Sequence, residues 1–390
     1  MRHYYLGLAA NYSRRQRLKH TFAIGRKVDC DRLTRILTKR YQGEKVILTK
    51  NGRSALTLAL MANFDKGDKI IVNAFTCYAV YEAIKAAGLE PVFADINKED
   101  LNFGCLGADS ESACPSDTLR AALAKSLCSA EHPDSESAPK GIIVQNTLGN
   151  PTDIEAIEKF AAEYNIKIIE DLAHCAGRKY KDGREMGTVG AATILSFGKD
   201  KSIDTVSGGA LILRHPYKNP IEAPSKMPKI SDHLRARFYP MFGALVRTLS
   251  YVHLGGPLMR GLIKIHFVEK SADNKLDIKR KISKFEAKLA AEQFKSLKDT
   301  PLREFCLVKN RNTVLKELKE AGYYFDGFWY ERPVSPERYY KKTHFPEKDC
   351  PVAVEVSEKI INLPTYYSEK QLEKAREIIK KYSEAKNEVE

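Results

Sequence analysis

Hydrophobic and polar positions follow two periods along this chain, and the two alternate. Short apolar runs bounded by turn residues read as buried strands: Val46–Leu48, Lys69–Asn73, Glu90–Asp95, Gly141–Gln145, Ile166–Ile169 and Ala191–Phe197. Between them lie stretches with helical spacing. These are Asp31–Arg40, a buried helix from near Arg53 carrying Ala55, Leu56, Leu58, Ala59, Leu60 and Met61, then Ala79–Ala87, and Ile154–Tyr164 started by Asp153. Residues 69–95 parse as strand, helix, glycine stop and strand, a βαβ unit that implies a parallel sheet and a right-handed crossover. Residues 97–140 are polar, with a short helix at Thr118–Ser126 between two loops. Strand alternating with helix predicts an α/β protein with a parallel-rich central sheet flanked by helices.

The texture changes after Arg214. Pro216, Pro220, Pro224 and Pro228 mark an extended linker. A helical wheel of the next segment puts Leu234, Phe238, Met241, Leu245, Leu249 and Val252 on one face, with Arg235, Arg237 and Arg247 off it. Pro240 is expected to break or begin this helix. The apolar face either packs on the body or a second subunit, or lies on an anionic membrane surface. A long helix is expected over Ile278–Lys298 and a charged one over Glu369–Lys386. Three parts follow: a large domain over 1–215, a basic amphipathic insertion over 216–275, and a smaller α+β domain over 276–390. Residues 1–45 read as an irregular lead-in apart from the Asp31–Arg40 helix.

Composition narrows the class. With 390 residues, 43% hydrophobic and 29% charged, the chain suits a globular enzyme of two unequal domains. Eight cysteines stand singly at 30, 77, 105, 114, 128, 175, 306 and 350, without C-x-x-C or zinc spacing, which predicts reduced thiols in the cytoplasm and no metal site. The N-terminus lacks the pattern of a secretory signal, and no apolar run is long enough to span a membrane. Of the net charge of +14, most sits between Arg214 and Lys284, where 15 Lys/Arg face 5 Asp/Glu. Such an excess suits an anionic partner such as a phosphate or a membrane. It is not interleaved on any nucleic-acid reading motif, so nucleic acid is not expected as a partner.

Candidate chemistry lies at strand ends, where open α/β sheets place their sites. One strand ends in Glu170 and Asp171. Another ends in Ser196 and a turn holding Lys199, Asp200 and Lys201. Upstream, Gly52 and Arg53 open a helix whose first N–H groups offer an anion site. A phosphate cradle, a buried acid and an amine suit pyridoxal 5′-phosphate: the amine forms an imine, the acid pairs with the ring nitrogen, and the helix start and a serine hold the phosphate. Neither G-x-x-x-x-G-K-[ST] nor G-x-G-x-x-G after a strand is present, so other phosphate users fit worse.

Six motifs stand in one order: N-G-R-S-A-L, then F-T-C leading to G-L-E-P-V-F-A-D-I, L-G-N-P-T-D-I-E-A-I, E-D-L-A-H, S-F-x-x-x-K with a later G-G-A, and the C-terminal C-P-V-A-V-E-V-S-E-K-I-I-N-L-P-T. In these the chain resembles the DegT-type sugar aminotransferases. The resemblance implies the aspartate-aminotransferase-like fold, pyridoxal-phosphate fold type I. By it, Lys201 is the imine lysine and general base, with Lys199 the lesser candidate at the wrong spacing. Asp171 contacts the pyridine nitrogen, and His174 packs near the ring and its 3′-oxygen. Gly52, Arg53 through its backbone, Ser54 and Ser196 hold the phosphate. Cys77 stands where an aromatic often stacks on the ring, leaving Tyr78 or another aromatic to supply that contact. Lys279, in Lys279-Arg280-Lys281, replaces an asparagine that reaches a partner subunit's phosphate. The implied reaction moves an amino group from glutamate to a nucleotide-linked keto-sugar in a homodimer with shared sites. Some relatives are dehydratases with histidine at the lysine position, and lysine here favours amino transfer. The alternative is an inactive or peripheral-membrane protein of the same fold that binds through 231–268.

Overall fold

In the computed structural model the described residues are 4–6, 12, 14–22, 30–104, 119–121, 138–214, 217–250, 254, 257–258, 261, 276–325 and 329–384. Most of the Thr118–Ser126 helix, Val252, Cys105, Cys114, Cys128 and the end of the 231–268 segment lie outside them. In chain order the first half comprises β1 (Tyr4–Leu6), α1 (Arg14–Phe22), α2 (Cys30–Tyr41), β2 (Lys45–Thr49), α3 (Gly52–Asn63), β3 (Lys69–Asn73), β4 (Thr76–Cys77), α4 (Tyr78–Ala86), β5 (Glu90–Ala94), β6 (Gly141–Val144) and α5 (Ile154–Glu163). The second half comprises β7 (Lys167–Asp171), β8 (Ala192–Ser196), β9 (Gly209–Leu213), α6 (Ile230–Ser250), α7 (Lys284–Gln293), β10 (Arg303–Leu307), α8 (Arg311–Glu320), β11 (Tyr323–Phe325), β12 (Val334–Ser335), α9 (Glu337–Tyr340), α10 (Pro351–Lys359), β13 (Ile360–Pro364) and α11 (Glu369–Tyr382).

Seven strands form the central sheet in the order β2-β9-β8-β7-β6-β3-β5. From β8 to β5 neighbours run parallel, and β9 is antiparallel to both β2 and β8. Side chains alternate across a strand, so continuous isoleucine and valine runs serve both faces. Ile71, Ile142, Val144, Ile168, Leu195 and Ile212 face a core that includes α2, α5 and α7 residues. Their neighbours Ile70, Val72, Ile143, Ile169, Ile194 and Leu211 face another that includes α3 and α4 residues. The sheet is therefore covered on both sides, as the apolar runs required.

The C-terminal part has its own core, where Val308, Val314, Leu318, Ile361, Leu363 and Leu372 join Leu6 of β1. β1 pairs in parallel with β11, so the first strand builds the C-terminal unit, although a 1–215 boundary assigns it to the large domain. Two contacts fasten this unit over the sheet's strand ends. β12 pairs with β4 through Val334–Thr76 and Ser335–Cys77. The Asp95 carboxylate accepts the Val352 and Ala353 N–H groups, both at 2.9 Å, capping the start of α10.

Three expectations are corrected. The long helix over Ile278–Lys298 begins only at Lys284, because Ser283 and Glu286 form a capping box and residues 279–281 pair with Lys226 instead. α6 runs through Pro240 rather than breaking there, and the face read as apolar on the wheel points outward. Leu234, Met241 and Leu245 are 39–43% exposed, whereas Ala236, Tyr239, Pro240, Gly243 and Val246 are buried. Small residues at 236 and 243 let the packed face approach its neighbours closely, which a wheel weighted by hydrophobicity does not register. The lead-in is not irregular throughout either: α1 packs on α6, where Arg237 donates to the Thr21 carbonyl at 2.7 Å.

Candidate active site

Adjacent carboxylates at the end of β7 have different fates because the strand alternates. Glu170 is wholly buried and accepts from Tyr180 Oη (2.7 Å) and from the Gly187 (2.7 Å), Val189 (2.9 Å) and Gly190 (2.7 Å) N–H groups, which ties down a loop. Asp171, on the opposite face, has one backbone bond, from the Ala173 N–H at 2.9 Å. Burial pushes its carboxyl up to about 6, against the pull of that N–H and of the Lys201 ammonium. A buried carboxylate with so little compensation is poised for a cationic partner.

The turn after β8 separates its two lysines. Asp200 between them has φ +59°, and the side chains diverge. Lys199 Nζ lies 4.4 Å over the Tyr239 ring of α6. Lys201 Nζ points into the site, 4.7 Å over the Trp329 ring and within the fields of Asp171 and Cys77. Burial lowers the Lys201 ammonium's pKa, with Arg303 adding to the effect, which favours the neutral, nucleophilic amine.

His174 accepts the Leu148 N–H on Nδ1 at 3.2 Å. Burial and the Lys201 and Arg303 charges hold it well below its usual range, so the ring is neutral and its proton sits on Nε2. Nε2–H is thus a fixed donor.

The start of α3 stands against the end of β8. The Asn51 side chain accepts the Ser54 N–H at 2.8 Å, leaving the first turn of N–H groups at Gly52 and Arg53 beside Ser196. A Cβ on Gly52 would fall 2.7 Å from Ser196 Cβ, and one on Gly209 would fall 2.6 Å from the Gly52 nitrogen. Glycine at both places lets backbone meet backbone. The Arg53 side chain turns away to pair with Glu82, so its part in any anion site is through the backbone. Ser54 Oγ accepts the Asp277 N–H at 3.4 Å. We expect Gly52→Ala to destabilise the protein by about 1–3 kcal/mol and to abolish the gain in melting temperature on adding pyridoxal phosphate. Thermal unfolding with and without the cofactor checks this.

Cys77 caps α4, and Tyr78 stacks on Tyr339 at 4.4 Å, so the aromatic over Lys201 is Trp329 instead. Lys279 is exposed, with its backbone held by Lys226 and Asp277 on the segment that runs beside Lys50. Sequence reasoning missed Arg303, Trp329, Tyr330 and Gln145. Tyr330 stacks on Phe75 at 4.7 Å, and Gln145 bonds Thr76, Thr147 and the Phe75 carbonyl. The available signals were an arginine opening the run R-E-F-C-L and the chain's single tryptophan.

An acid and an amine at neighbouring strand ends, a helix N-terminus for an anion, and a parallel-rich sheet covered on both faces go with an α/β fold of the pyridoxal-phosphate fold type I class. Residues 29–221 match the DegT/DnrJ/EryC1/StrS aminotransferase family. It is 32% identical over 163 residues to the GDP-perosamine synthase of Escherichia coli O157:H7, covering 42% of this chain and 38% of that protein. Such matches span about two fifths of the length of the curated relatives. The whole fold is similar to a DegT DnrJ EryC1 StrS aminotransferase from Brucella abortus (20% identity, 94% of each chain, TM-score 0.63). It is also similar to the E. coli GDP-4-keto-6-deoxy-D-mannose-3-dehydratase with bound hydrated pyridoxal phosphate (16% identity, 97% of this chain and 100% of that one, TM-score 0.58). The family's cofactor is pyridoxal 5′-phosphate, and the residues here fit it: a depressed lysine, an acid with few partners, and a glycine-opened helix start.

Proposed function

We propose that this chain is a pyridoxal-phosphate-dependent aminotransferase that moves an amino group from an amino acid, glutamate foremost, to a nucleotide-linked keto-sugar, for amino-sugar or cell-surface polysaccharide synthesis. The observation that carries this reading is Lys201, a half-buried residue whose Nζ lies 4.7 Å over the Trp329 ring and within the field of Asp171, with burial lowering its pKa. When bound, the cofactor supplies an electron sink. Asp171 holds the proton on the ring nitrogen by its charge. Gly52, Arg53 and Ser196 bind the phosphate, and His174 offers its Nε2–H to an oxygen. Lys201, released as a free amine, carries a proton from the donor's Cα as general base. Lysine at this position supports amino transfer over dehydration.

A screen of keto-sugar nucleotides with glutamate as donor tests the reading. An amino-sugar product with 2-oxoglutarate is expected. An acceptor that loses a hydroxyl and gains no nitrogen would assign dehydration.

We further place the enzyme in the cytoplasm as a homodimer with shared sites, where the exposed Lys279 is free to reach a partner's phosphate. One observation favours a membrane-surface contact as a second reading. The exposed stripe of Ile230, Leu234, Met241 and Leu245 is flanked by exposed Lys226 and Lys229, while no helix among the described residues is long and apolar enough to cross a bilayer. Co-sedimentation with phosphatidylserine vesicles that is lost in Leu234→Asp/Leu245→Asp is the expected result. Sedimentation equal to that of the variant removes this reading.

A further inference from the structure

Two residues in the connection from β8 to β9 hold left-handed backbone: Asp200 at φ +59° and Val206 at φ +74°. For a β-branched side chain such as that of Val206 this region is strained. Lys201 lies between the two. Both N–H groups donate to one carboxylate, that of Asp204, Asp200 to Oδ2 and Val206 to Oδ1, each at 2.9 Å. Asp204 is buried and is fastened from outside the turn. Tyr12 Oη donates to Asp204 Oδ1 at 2.6 Å and to the Asp204 carbonyl at 3.0 Å. Gln293 of α7 accepts the Asp204 N–H at 2.8 Å and donates to its carbonyl at 2.7 Å. Tyr12, also buried, stands in the connection from β1 to α1, so the start of the chain reaches the turn that carries Lys201.

We propose that Asp204, held by the Tyr12 hydroxyl, is the positioning residue that keeps Lys201 aimed into the strand-end cleft. This rests on the reading of Lys201 as the reacting amine. A turn with two left-handed residues has relaxed alternatives of lower backbone energy, and the Asp204 carboxylate opposes them by bonding both strained N–H groups at once. A carboxylate suits the task because both of its oxygens accept, whereas an amide in its place would turn an NH₂ towards one of the donors. The Tyr12 hydroxyl fixes the rotation of the carboxylate. Relaxing the turn frees Lys201 to leave the cleft, and a misplacement of about 1 Å can cost on the order of 100-fold in rate.

The test incubates the full chain with pyridoxal phosphate, reduces it with borohydride over a series of pH values, and measures how fast Lys201 is labelled. In both Tyr12→Phe and Asp204→Asn the rate at pH 7 should fall about 10-fold, and the pH of half-maximal rate should rise by about one unit, because the amine leaves its buried place. The groups facing Lys201 are Asp171, His174, Cys77, Arg303 and Asp200, and neither substitution changes them. Loss of the Asp204 charge alone would move the midpoint the other way, and Tyr12→Phe removes no charge. Amino transfer should lose about the same factor in kcat with KM for glutamate unchanged, and Tyr12→Phe should add little in the Asp204→Asn background. Wild-type labelling in Tyr12→Phe overturns the proposal, whether or not Asp204→Asn folds, as does a lower melting temperature with labelling unmoved. No label on wild-type Lys201 overturns it outright. A wild type that is labelled on Lys201 but forms no amino product refutes amino transfer, and the labelling comparison then still decides the role of Asp204.

Discussion

Lys201→Ala is expected to lose the visible imine band altogether and to lower amino transfer by on the order of 10³-fold or more, while Lys199→Ala keeps both. The two residues are separated by one position and would be equivalent in a solvated loop. They differ because Asp200 adopts φ +59° and sends the two side chains apart. Lys199 ends on Tyr239 of α6, outside the strand-end cleft, whereas Lys201 ends inside it with Asp171, Cys77 and Trp329. Burial among these groups leaves more of the Lys201 amine unprotonated near neutral pH, which both imine formation and proton removal require. Lys199→Ala loses a cation–π contact worth about 0.5–2 kcal/mol, and stability alone should register it. Absorbance spectra and steady-state rates of the two variants check the pair.

Asp171→Asn is expected to have opposite effects on the cofactor-free and loaded proteins. Without cofactor, the folded carboxyl sits at about 6 against an ordinary value of 3.8. A raised value means that the group's contribution to stability is fully present below the unfolded value and is lost as pH rises through the folded one. Above pH 6 the buried carboxylate therefore costs the empty protein on the order of 2–3 kcal/mol. Asparagine has no such charge and can still accept the Ala173 N–H. The cofactor-free variant should melt higher than wild type at pH 7.5, with the gap closing as pH falls towards 4. Adding pyridoxal phosphate should raise the wild-type melting temperature and leave the variant's nearly unmoved, because the ring nitrogen has lost its counter-charge. A variant that is less stable than wild type when empty at pH 7.5 contradicts this account of Asp171.

Much of this was legible in the sequence because it depends on local rules. Runs such as Ile70–Ile71–Val72 and Ile168–Ile169 announce strands buried on both faces, and their ends announce where Asp171 and Lys201 lie. The Asn51–Gly52 start of α3 is a local signal of the same kind. Arg303, Trp329 and Tyr330 were not legible. They lie more than 100 residues after Lys201 and reach it through the β4–β12 pairing, the Asp95 cap on α10 and the bond from the Leu302 N–H to the Leu148 carbonyl, which are long-range contacts without a periodic signature. α6 failed for a different reason. Hydrophobicity picks out Leu234, Met241 and Leu245, but close packing selected Ala236 and Gly243, so the apolar stripe was left outside.

The most direct test is to incubate the protein with pyridoxal phosphate, reduce it with borohydride and map the modified peptide by mass spectrometry. A pyridoxyl group on Lys201 alone is the predicted result. A group on Lys199, or none on the chain, would contradict the assignment on which the proposed chemistry stands.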